Sequence, residues 1–148
     1  MDGWSGAASR VFGVPDSAQK SLELIQARNL LSSLSTPALL VNRPGDVIFY
    51  NEAAGAILGQ RFEETGTLSW EDWVTTFGPF GDDDEPIPVE HQPLTAALRA
   101  NRAGHARHRI RSPNGGRQDI EVSGVPIVGT EGFQGAMIFF WPIQDGSR

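Results

Sequence analysis

The sequence predicts an α+β domain in which a five-stranded antiparallel sheet carries helices on both faces. The strongest indication is the segment 133–141, where every residue except Gln134 is apolar or glycine. Side chains alternate between the two faces of a strand, so this segment buries both faces and belongs at the centre of a sheet. Two further observations support this fold class. Short alternating segments separated by Gly- and Pro-containing turns predict the other strands, and stretches whose apolar residues recur at helical spacing predict the helices.

Composition narrows the class of protein. The 148 residues can form one hydrophobic core with an extension, and 39% of them are hydrophobic, which is ordinary for a globular domain. No apolar segment approaches the roughly 20 residues of a membrane span, and the net charge of −6 argues against a nucleic-acid-binding groove. The sequence has no cysteine and nothing like a signal peptide at its start. We therefore expect a cytoplasmic protein without disulfides, membrane contact or a nucleic-acid partner.

The chain is predicted to begin with an arm and a helix. Residues 1–15 mix Gly, Ser, Ala and Pro without a period, which indicates a flexible arm. Asp16 is a suitable N-cap, with Gln19 three residues later, and the apolar residues that follow recur at intervals of three and four. These features predict a helix over residues 16–35, whose apolar stripe consists of Leu24, Ala27, Leu31 and Leu34.

The apolar stripe of this helix needs a cover, because it is too short to form a coiled coil by itself. Alternation in the segment 133–141 places Ile138 and Phe140 on a face that the other helices leave open. We therefore expect the N-terminal helix to lie on that face and to pair two copies of the chain. The predicted homodimer interface consists of Leu24, Ala27, Leu31, Leu34, Ile138 and Phe140.

Turn and capping residues mark the elements that follow the first helix. A hairpin over residues 38–50 turns at Pro44 and Gly45, Asn51 is placed to cap a short helix, and Gly59 is placed to end it. The side-chain oxygen of asparagine satisfies a free amide at a helix start, and glycine tolerates the left-handed conformation at a helix end. This stretch therefore predicts strand, strand and helix in that order.

The second half of the chain combines two helices with three strands. Ser69 is predicted to cap a helix rich in aromatic residues, and a second helix is predicted over residues 90–101. The next strand alternates, so that His108 faces the helices while the arginines on either side of it face outward. Those arginines are expected to pair with Asp119 and Glu121 across a hairpin.

Two stretches carry a resemblance to a known family. From Asn51 the sequence reads Asn-x-Ala-Ala-x-x-x-Leu-Gly directly after a strand that ends in Tyr50. A Pro-led helix, an Arg-x-x-Asn-Gly turn, a Glu-Val-Ser strand and an apolar last strand then follow between residues 86 and 143. Over residues 36–143 the sequence thus resembles the sensor domains called PAS domains, and residues 144–148 are left as a C-terminal tail.

The resemblance implies a fold and a role. The fold has the strand order 2-1-5-4-3, with short helices on one face of the sheet and the N-terminal helix on the other. The role is that of a sensory and dimerisation module without catalysis of its own. Such a module regulates an output domain that is not in this chain, or a partner protein.

The aromatic helix faces the space between the helices and the sheet, where a small-molecule site is expected. The residues expected to line it are Ile57, Trp70, Trp73, Val74, Phe77, Leu94, Leu98, His108, Ile110, Met137 and Phe139. They either bind a small apolar or amphiphilic molecule or simply fill the core, which would leave a ligand-free module for protein–protein interaction. His108 is correspondingly either a core histidine bonded to the backbone or a polar group that receives the head of an acidic ligand.

The sequence identifies no cofactor, metal site or catalytic pair. PAS domains that bind haem use a histidine on the helix before the third strand, and His91 lies at the start of that helix instead of its middle. The absence of cysteine excludes the cysteinyl-flavin chemistry of light-sensing PAS domains. The acidic run 82–85 is interpreted as a solvated loop. A small cone-shaped α+β enzyme that uses His108 with Asp119 is a minor alternative, because alternation places the two on opposite faces.

Overall fold

A computed structural model of the chain describes residues 22–81, 85, 87, 92, 100–112 and 116–143. The predicted arm, the start of the first helix, most of the predicted helix 90–101, the acidic residues 82–84 and the tail 144–148 lie outside the described residues. The same holds for three side chains singled out from the sequence, namely His91, Leu94 and Leu98.

The described residues form a five-stranded antiparallel sheet in the order β2-β1-β5-β4-β3, which confirms the predicted order. In chain order the elements are α1 (Leu22–Ser32), β1 (Ala38–Asn42), β2 (Val47–Tyr50), α2 (Glu52–Leu58), α3 (Phe62–Thr65), α4 (Trp70–Phe77), β3 (Gly104–Arg111), β4 (Arg117–Gly129) and β5 (Gly132–Pro142). The four-residue helix α3 was not predicted, because so short an element shows no apolar period. The strand β5 lies at the centre of the sheet, as its two apolar faces require.

The predicted caps fix the helices that precede the site. Asn51 Oδ1 accepts a hydrogen bond from the backbone amide of Ala54 at 3.0 Å and so begins α2. Gly59 ends α2 in the left-handed region, at φ 83°. Ser69 Oγ accepts from the Asp72 amide at 3.1 Å and begins α4. These local contacts were readable from the sequence because each joins residues that are close in the chain.

The sheet separates two hydrophobic cores. The inner core lies between the sheet and the short helices, and consists of Leu39, Val41, Val47, Tyr50, Ala54, Leu58, Trp73, Phe77, Ile110, Ile120, Val122, Ala136, Ile138 and Phe140. The outer core lies between the sheet and α1, and consists of Leu24, Ala27, Leu31, Ala38, Leu40, Phe49 and Ile127. Each face of β5 is thus covered by a separate group of side chains.

The two faces of β5 are the reverse of the prediction. The register pairs Ile138 with Leu39, so Ile138 and Phe140 lie in the inner core and not beneath α1. Met137 and Phe139, which were predicted to line the pocket, pack against the outer core instead. The alternation itself was correct, but alternation separates two faces without saying which helix covers which face.

Gly135 marks the face of β5 on which α1 lies. It has φ 155°, and a side chain at this position would overlap the carbonyl oxygen of Val41 on β1. The same side chain would stand only 3.2 Å from Leu24 Cδ2 of α1. The absence of a side chain at Gly135 therefore lets α1 approach the sheet closely on the outer face.

The apolar stripe of α1 is covered by its own chain. Leu24, Ala27 and Leu31 are buried in the outer core, and Leu34 packs against it. The structure thus places the α1 residues predicted for a dimer interface against the sheet of their own chain. The two β5 residues predicted to join them lie in the inner core, on the other face of the sheet.

Asn51 joins four parts of the chain around the end of β2. Its side-chain oxygen accepts from the backbone amides of Ala38, at 3.1 Å, and Ala54, at 3.0 Å. Its side-chain amide donates to the carbonyl oxygens of Leu31 and Thr36, both at 2.9 Å. The residue is only 2% exposed, so it forms these bonds away from water. We call this arrangement the Asn51 clamp, and it fixes the end of α1 to β1 and α2.

The Asn51 clamp predicts a larger loss of stability on mutation than an ordinary helix cap would give. We expect Asn51→Ala to lower the free energy of unfolding by about 3 kcal/mol or more, because a buried group left without a partner costs about 1–3 kcal/mol. Ser69→Ala removes an exposed cap with one bond and should cost about 1 kcal/mol. Urea denaturation of both variants checks the difference, and equal losses would reduce Asn51 to a simple cap.

Candidate functional site

A cavity of about 50 Å³, partly open to the surface, lies between the inner face of the sheet and α4. Its described walls come from every strand except β2, from α2 and α4, and from the loop after α4. The lining residues are Leu39, Leu58, Trp70, Trp73, Gly78, Pro79, Gln92, His108, Ile110, Ile120, Val122, Ile138 and Phe140. The cavity is therefore mostly apolar, with a small number of polar side chains, as small-molecule sites in proteins are.

The structure brings some of the predicted pocket residues together and separates others. The predicted residues that line the cavity are Trp70, Trp73, His108 and Ile110. Those that belong to the inner core or pack against it, but are not among the described lining residues, are Ile57, Val74 and Phe77. The two on the opposite side of the sheet are Met137 and Phe139.

Several lining residues were not predicted, and part of them could have been found. Ile120 pairs with His108 in the β3–β4 register, so Ile120 and Val122 share the face of His108 by alternation alone. Ile138 and Phe140 were placed on the wrong face for the reason given above. The position of Gln92 at the cavity could not be predicted, because nothing in the sequence distinguishes this residue from an exposed glutamine.

The loop after α4 closes the cavity near β3. Phe80 donates its backbone N–H to the Arg109 carbonyl oxygen at 2.7 Å, which holds the loop at the edge of the sheet. Gly78 lines the cavity at φ 109°, and a side chain there would lie 2.8 Å from the Phe80 ring and 3.2 Å from that carbonyl. Pro79 lines the cavity beside it. The Gly-Pro pair therefore allows the chain to leave α4 and reach β3 without filling the cavity.

Three of the side chains that line the cavity carry buried polar atoms without a partner. The buried atoms Nδ1 and Nε2 of His108, Oε1 of Gln92 and Nε1 of Trp70 have no hydrogen-bond partner in the structure as described. His108 is 9% exposed and Gln92 is 4% exposed, so water outside the protein does not satisfy them. Such groups cost about 1–3 kcal/mol each when they stay unpaired, and they call for an explanation. The alternative in which His108 is bonded to the backbone is not observed among the described residues.

The orientation of the Gln92 amide follows from its one hydrogen bond. Gln92 Nε2 donates to the carbonyl oxygen of Ile87 at 2.7 Å. A carbonyl oxygen only accepts, so the nitrogen must be the atom that faces Ile87. The side-chain oxygen of Gln92 is therefore left as an acceptor at the cavity wall.

The described residues around the cavity carry no charge at pH 7. Burial lowers the pKa of His108 below its usual value, because a charged imidazolium loses its hydration inside the protein. The ring is therefore neutral at pH 7, with one nitrogen as donor and the other as acceptor. None of the described lining residues is an acid, a lysine or an arginine. The described part of the cavity wall thus offers neutral hydrogen-bonding groups and apolar surface.

A row of aromatic rings leads from the cavity wall to α1. The ring centroids of Trp73 and Tyr50 are 5.8 Å apart, those of Tyr50 and Phe62 5.5 Å, and those of Phe62 and Phe49 5.5 Å. Phe62 packs against both the inner and the outer core. On α1, the guanidinium carbon of Arg28 lies 4.4 Å from the centre of the Phe49 ring. These contacts join the two cores around the β2 edge of the sheet.

The outer face of β3 and β4 is polar, as predicted. Arg109 Nε lies 3.0 Å from Asp119 Oδ1, and Arg107 stands opposite Glu121 in the register. Asp119 therefore projects from the face opposite the cavity. The acid–base pair of His108 and Asp119 that the enzyme alternative requires is not formed, because the register places Ile120 opposite His108.

Comparison with known proteins relates this geometry to one fold. No family model and no curated protein matches the sequence. Among solved structures, the PAS domain of the fruit-fly ELK potassium channel has a TM-score of 0.63 at 12% identity, over 82% of this chain and 98% of that one. The PAS domain of a Colwellia psychrerythraea protein has a TM-score of 0.59 at 18% identity, over 81% and 96% of the two chains.

A third solved structure is a PAS domain in complex with ethanol, from a LuxR-family transcriptional regulator of Burkholderia thailandensis. Its TM-score is 0.56 at 13% identity, over 78% of this chain and 95% of that one. Within the described part of the chain, none of the helices has the length and apolar character that crossing a bilayer requires. The likeness extends over most of the chain and agrees with the sheet order β2-β1-β5-β4-β3. The chain therefore has the PAS fold.

Proposed function

We propose that this chain is a sensory module of a cytoplasmic signalling protein, which binds a small molecule in the cavity and thereby regulates an output domain outside this chain. The observation that carries the proposal is that His108 and Gln92, which line an apolar cavity, carry buried polar atoms without a partner. A core that only had to be stable would gain by having apolar side chains at these positions. A bound molecule that pairs with these atoms accounts for their presence.

The volume of the cavity sets the size of the molecule. The cavity measures about 50 Å³, about a third of the roughly 150 Å³ of an engineered cavity that admits benzene. Sites for drug-sized ligands have about 300–1,000 Å³. The ligand is therefore a molecule of a few non-hydrogen atoms, at the small end of the range expected from the sequence. Ethanol, which is bound to the Burkholderia PAS domain, is in this size class.

The aromatic row provides a route from the cavity to the surface. Trp73 lines the cavity, and its contacts continue through Tyr50 and Phe62 to Phe49 beneath α1. A ligand that shifts Trp73 favours one packing of these rings over another, and α1 responds through Phe49 and Arg28. An output domain attached to α1 or docked on it then receives the change.

A second candidate function, pairing of two chains, is favoured by the exposed side of α1. Leu22, Ile25 and Leu30 on that side are 64%, 44% and 51% exposed, and Val128 at the end of β4 is 51% exposed. They lie away from the stripe that packs on the sheet. We propose that a homodimer forms through this apolar surface, in place of the residues expected from the sequence.

Binding of a small molecule in the cavity should change the NMR signals of residues on α1 as well as those at the cavity. Binding in the cavity can be tested with three trial ligands of similar size but different polarity, namely xenon, acetamide and acetate. At least one should give saturable shifts in the amide NMR signals of Val122 and Ile138, and also of Ala27 and Leu31 on α1. Val122→Leu adds a methylene group at the cavity wall and should weaken the binding several-fold, whereas Val128→Leu makes the same change at the surface and should not. If no probe gives saturable shifts at both places, the sensory function is contradicted.

Disruption of the exposed side of α1 should separate the chains. Leu30→Glu places a charge in the apolar surface and should convert the dimer to a monomer, with little change in melting temperature because Leu30 is 51% exposed. Thr76→Glu, on the exposed side of α4, serves as the control and should leave the dimer intact. Sedimentation equilibrium measures both masses. A wild-type chain that is monomeric at about 100 μM, or a dimer that survives Leu30→Glu, would exclude this interface.

The neutral state of His108 should make stability depend on pH in a defined direction. In the unfolded chain the ring takes up a proton near pH 6.5, while in the folded chain it does so only at lower pH, because burial lowers its pKa. The unfolded state thus binds more protons just below pH 6.5, so stability falls as the pH drops through that range and is unaffected above it. The slope due to one proton is at most about 1.4 kcal/mol per pH unit.

His108→Leu should remove this part of the pH dependence. The free energy of unfolding of the wild type and of the variant, measured by urea denaturation between pH 7.5 and 5.5, should diverge as the pH falls. His105→Leu, at an exposed position on the same strand, should follow the wild type. Parallel curves for the wild type and His108→Leu would show that His108 is not buried as a neutral ring.

A further inference from the structure

The geometry points to a specific class of ligand: a neutral molecule of a few non-hydrogen atoms that carries both a hydrogen-bond donor and an acceptor, such as a short amide or alcohol, with carboxylates excluded. This inference rests on the proposed function, because it assumes that the cavity binds a ligand. It differs from the expectation based on sequence, in which His108 would receive the head of an acid.

The inventory of polar atoms defines what the ligand must offer. Gln92 Nε2 is already bonded to Ile87, so Gln92 Oε1 requires a donor from the ligand. Trp70 Nε1–H can only donate and therefore requires an acceptor. The neutral His108 ring adds one donor and one acceptor. A molecule with only acceptors leaves Gln92 unpaired, and an apolar molecule leaves all three side chains unpaired.

The described wall of the cavity offers no positive charge to an anion, because none of its residues is cationic. By alternation the arginines of β3 nearest to His108 lie on the other face of the strand, where Arg109 pairs with Asp119 and Arg107 stands opposite Glu121. They border a second cavity of about 340 Å³ at the edge of the sheet, which His108 also lines, and the acidic partners offset their charge there. A carboxylate in the cavity would lose its hydration without gaining a partner of opposite charge, which is strongly unfavourable. Protonation of His108 would supply that partner only against the burial that keeps the ring neutral.

Acetamide and acetate provide a matched test, because they have nearly the same shape and differ in charge and in the presence of a donor. The NMR signals of the Trp70 indole N–H and of the His108 ring nitrogens report directly on the polar atoms concerned. At pH 7 we expect acetamide to shift both signals in a saturable way, with an affinity at least tenfold higher than that of acetate. The comparison uses the wild-type chain and so does not depend on the folding of any variant.

Two variants test the assignment to particular side chains. His108→Leu and Gln92→Leu should each weaken acetamide binding about tenfold, which corresponds to about 1.4 kcal/mol, because each variant removes a hydrogen bond in a buried site. His105→Leu removes a histidine from the exposed face of the same strand and is the matched control, with unchanged affinity expected. Chemical-shift titrations that follow the Val122 amide measure all the affinities.

The outcomes separate this inference from the proposed function. If acetate binds as tightly as acetamide, or if xenon binds and acetamide does not, the inferred ligand class is wrong while the cavity remains a binding site. If acetamide binds equally well to wild type, His108→Leu and Gln92→Leu, the polar assignment is wrong in the same way. If xenon, acetamide and acetate all leave the Val122 and Trp70 signals unchanged, the proposed function fails together with the inference.

Discussion

The central strand β5 has two apolar faces, and each needs its own cover. This constraint divides the domain into an inner core under the short helices and an outer core under α1. The cover of the outer face is a single helix, and a helix of this length is not stable by itself. It is fixed to the sheet by burial of Leu24, Ala27 and Leu31, by the space above Gly135, and by the Asn51 clamp at its end. These contacts with the sheet thus fix the position of α1.

The same division places the candidate site. The inner core is covered by short helices and loops, and a cavity remains beside α4. The lining residues with unpaired polar atoms come from distant parts of the chain, namely Trp70, Gln92 and His108. The sheet lies between this cavity and α1, and the two cores are in contact around the β2 edge, where Phe62 packs against both. The fold therefore places an apolar cavity on one face of the sheet and connects it with α1 by a row of aromatic contacts.

The sequence predicted what depends on near neighbours in the chain. The caps at Asn51 and Ser69, the strands and the order of the sheet could all be read from local patterns or from the PAS resemblance. It did not predict which face of β5 meets which cover, because the alternation of Met137 and Ile138 is symmetrical. It also missed three of the four side-chain bonds of Asn51, which reach residues 13, 15 and 20 positions away. The presence of His108 and Gln92 in the wall of one cavity is likewise a tertiary property, which alternation cannot predict.

The central claim is that the cavity binds a small neutral molecule. Its most direct test is a high-resolution crystal structure of the purified chain, in which the electron density inside the cavity is inspected. We expect electron density for a small molecule within about 2.6–3.2 Å of Gln92 Oε1 and of one His108 ring nitrogen. A cavity that is empty, with the His108 ring turned to a backbone partner and Gln92 Oε1 bonded within the protein, would contradict it.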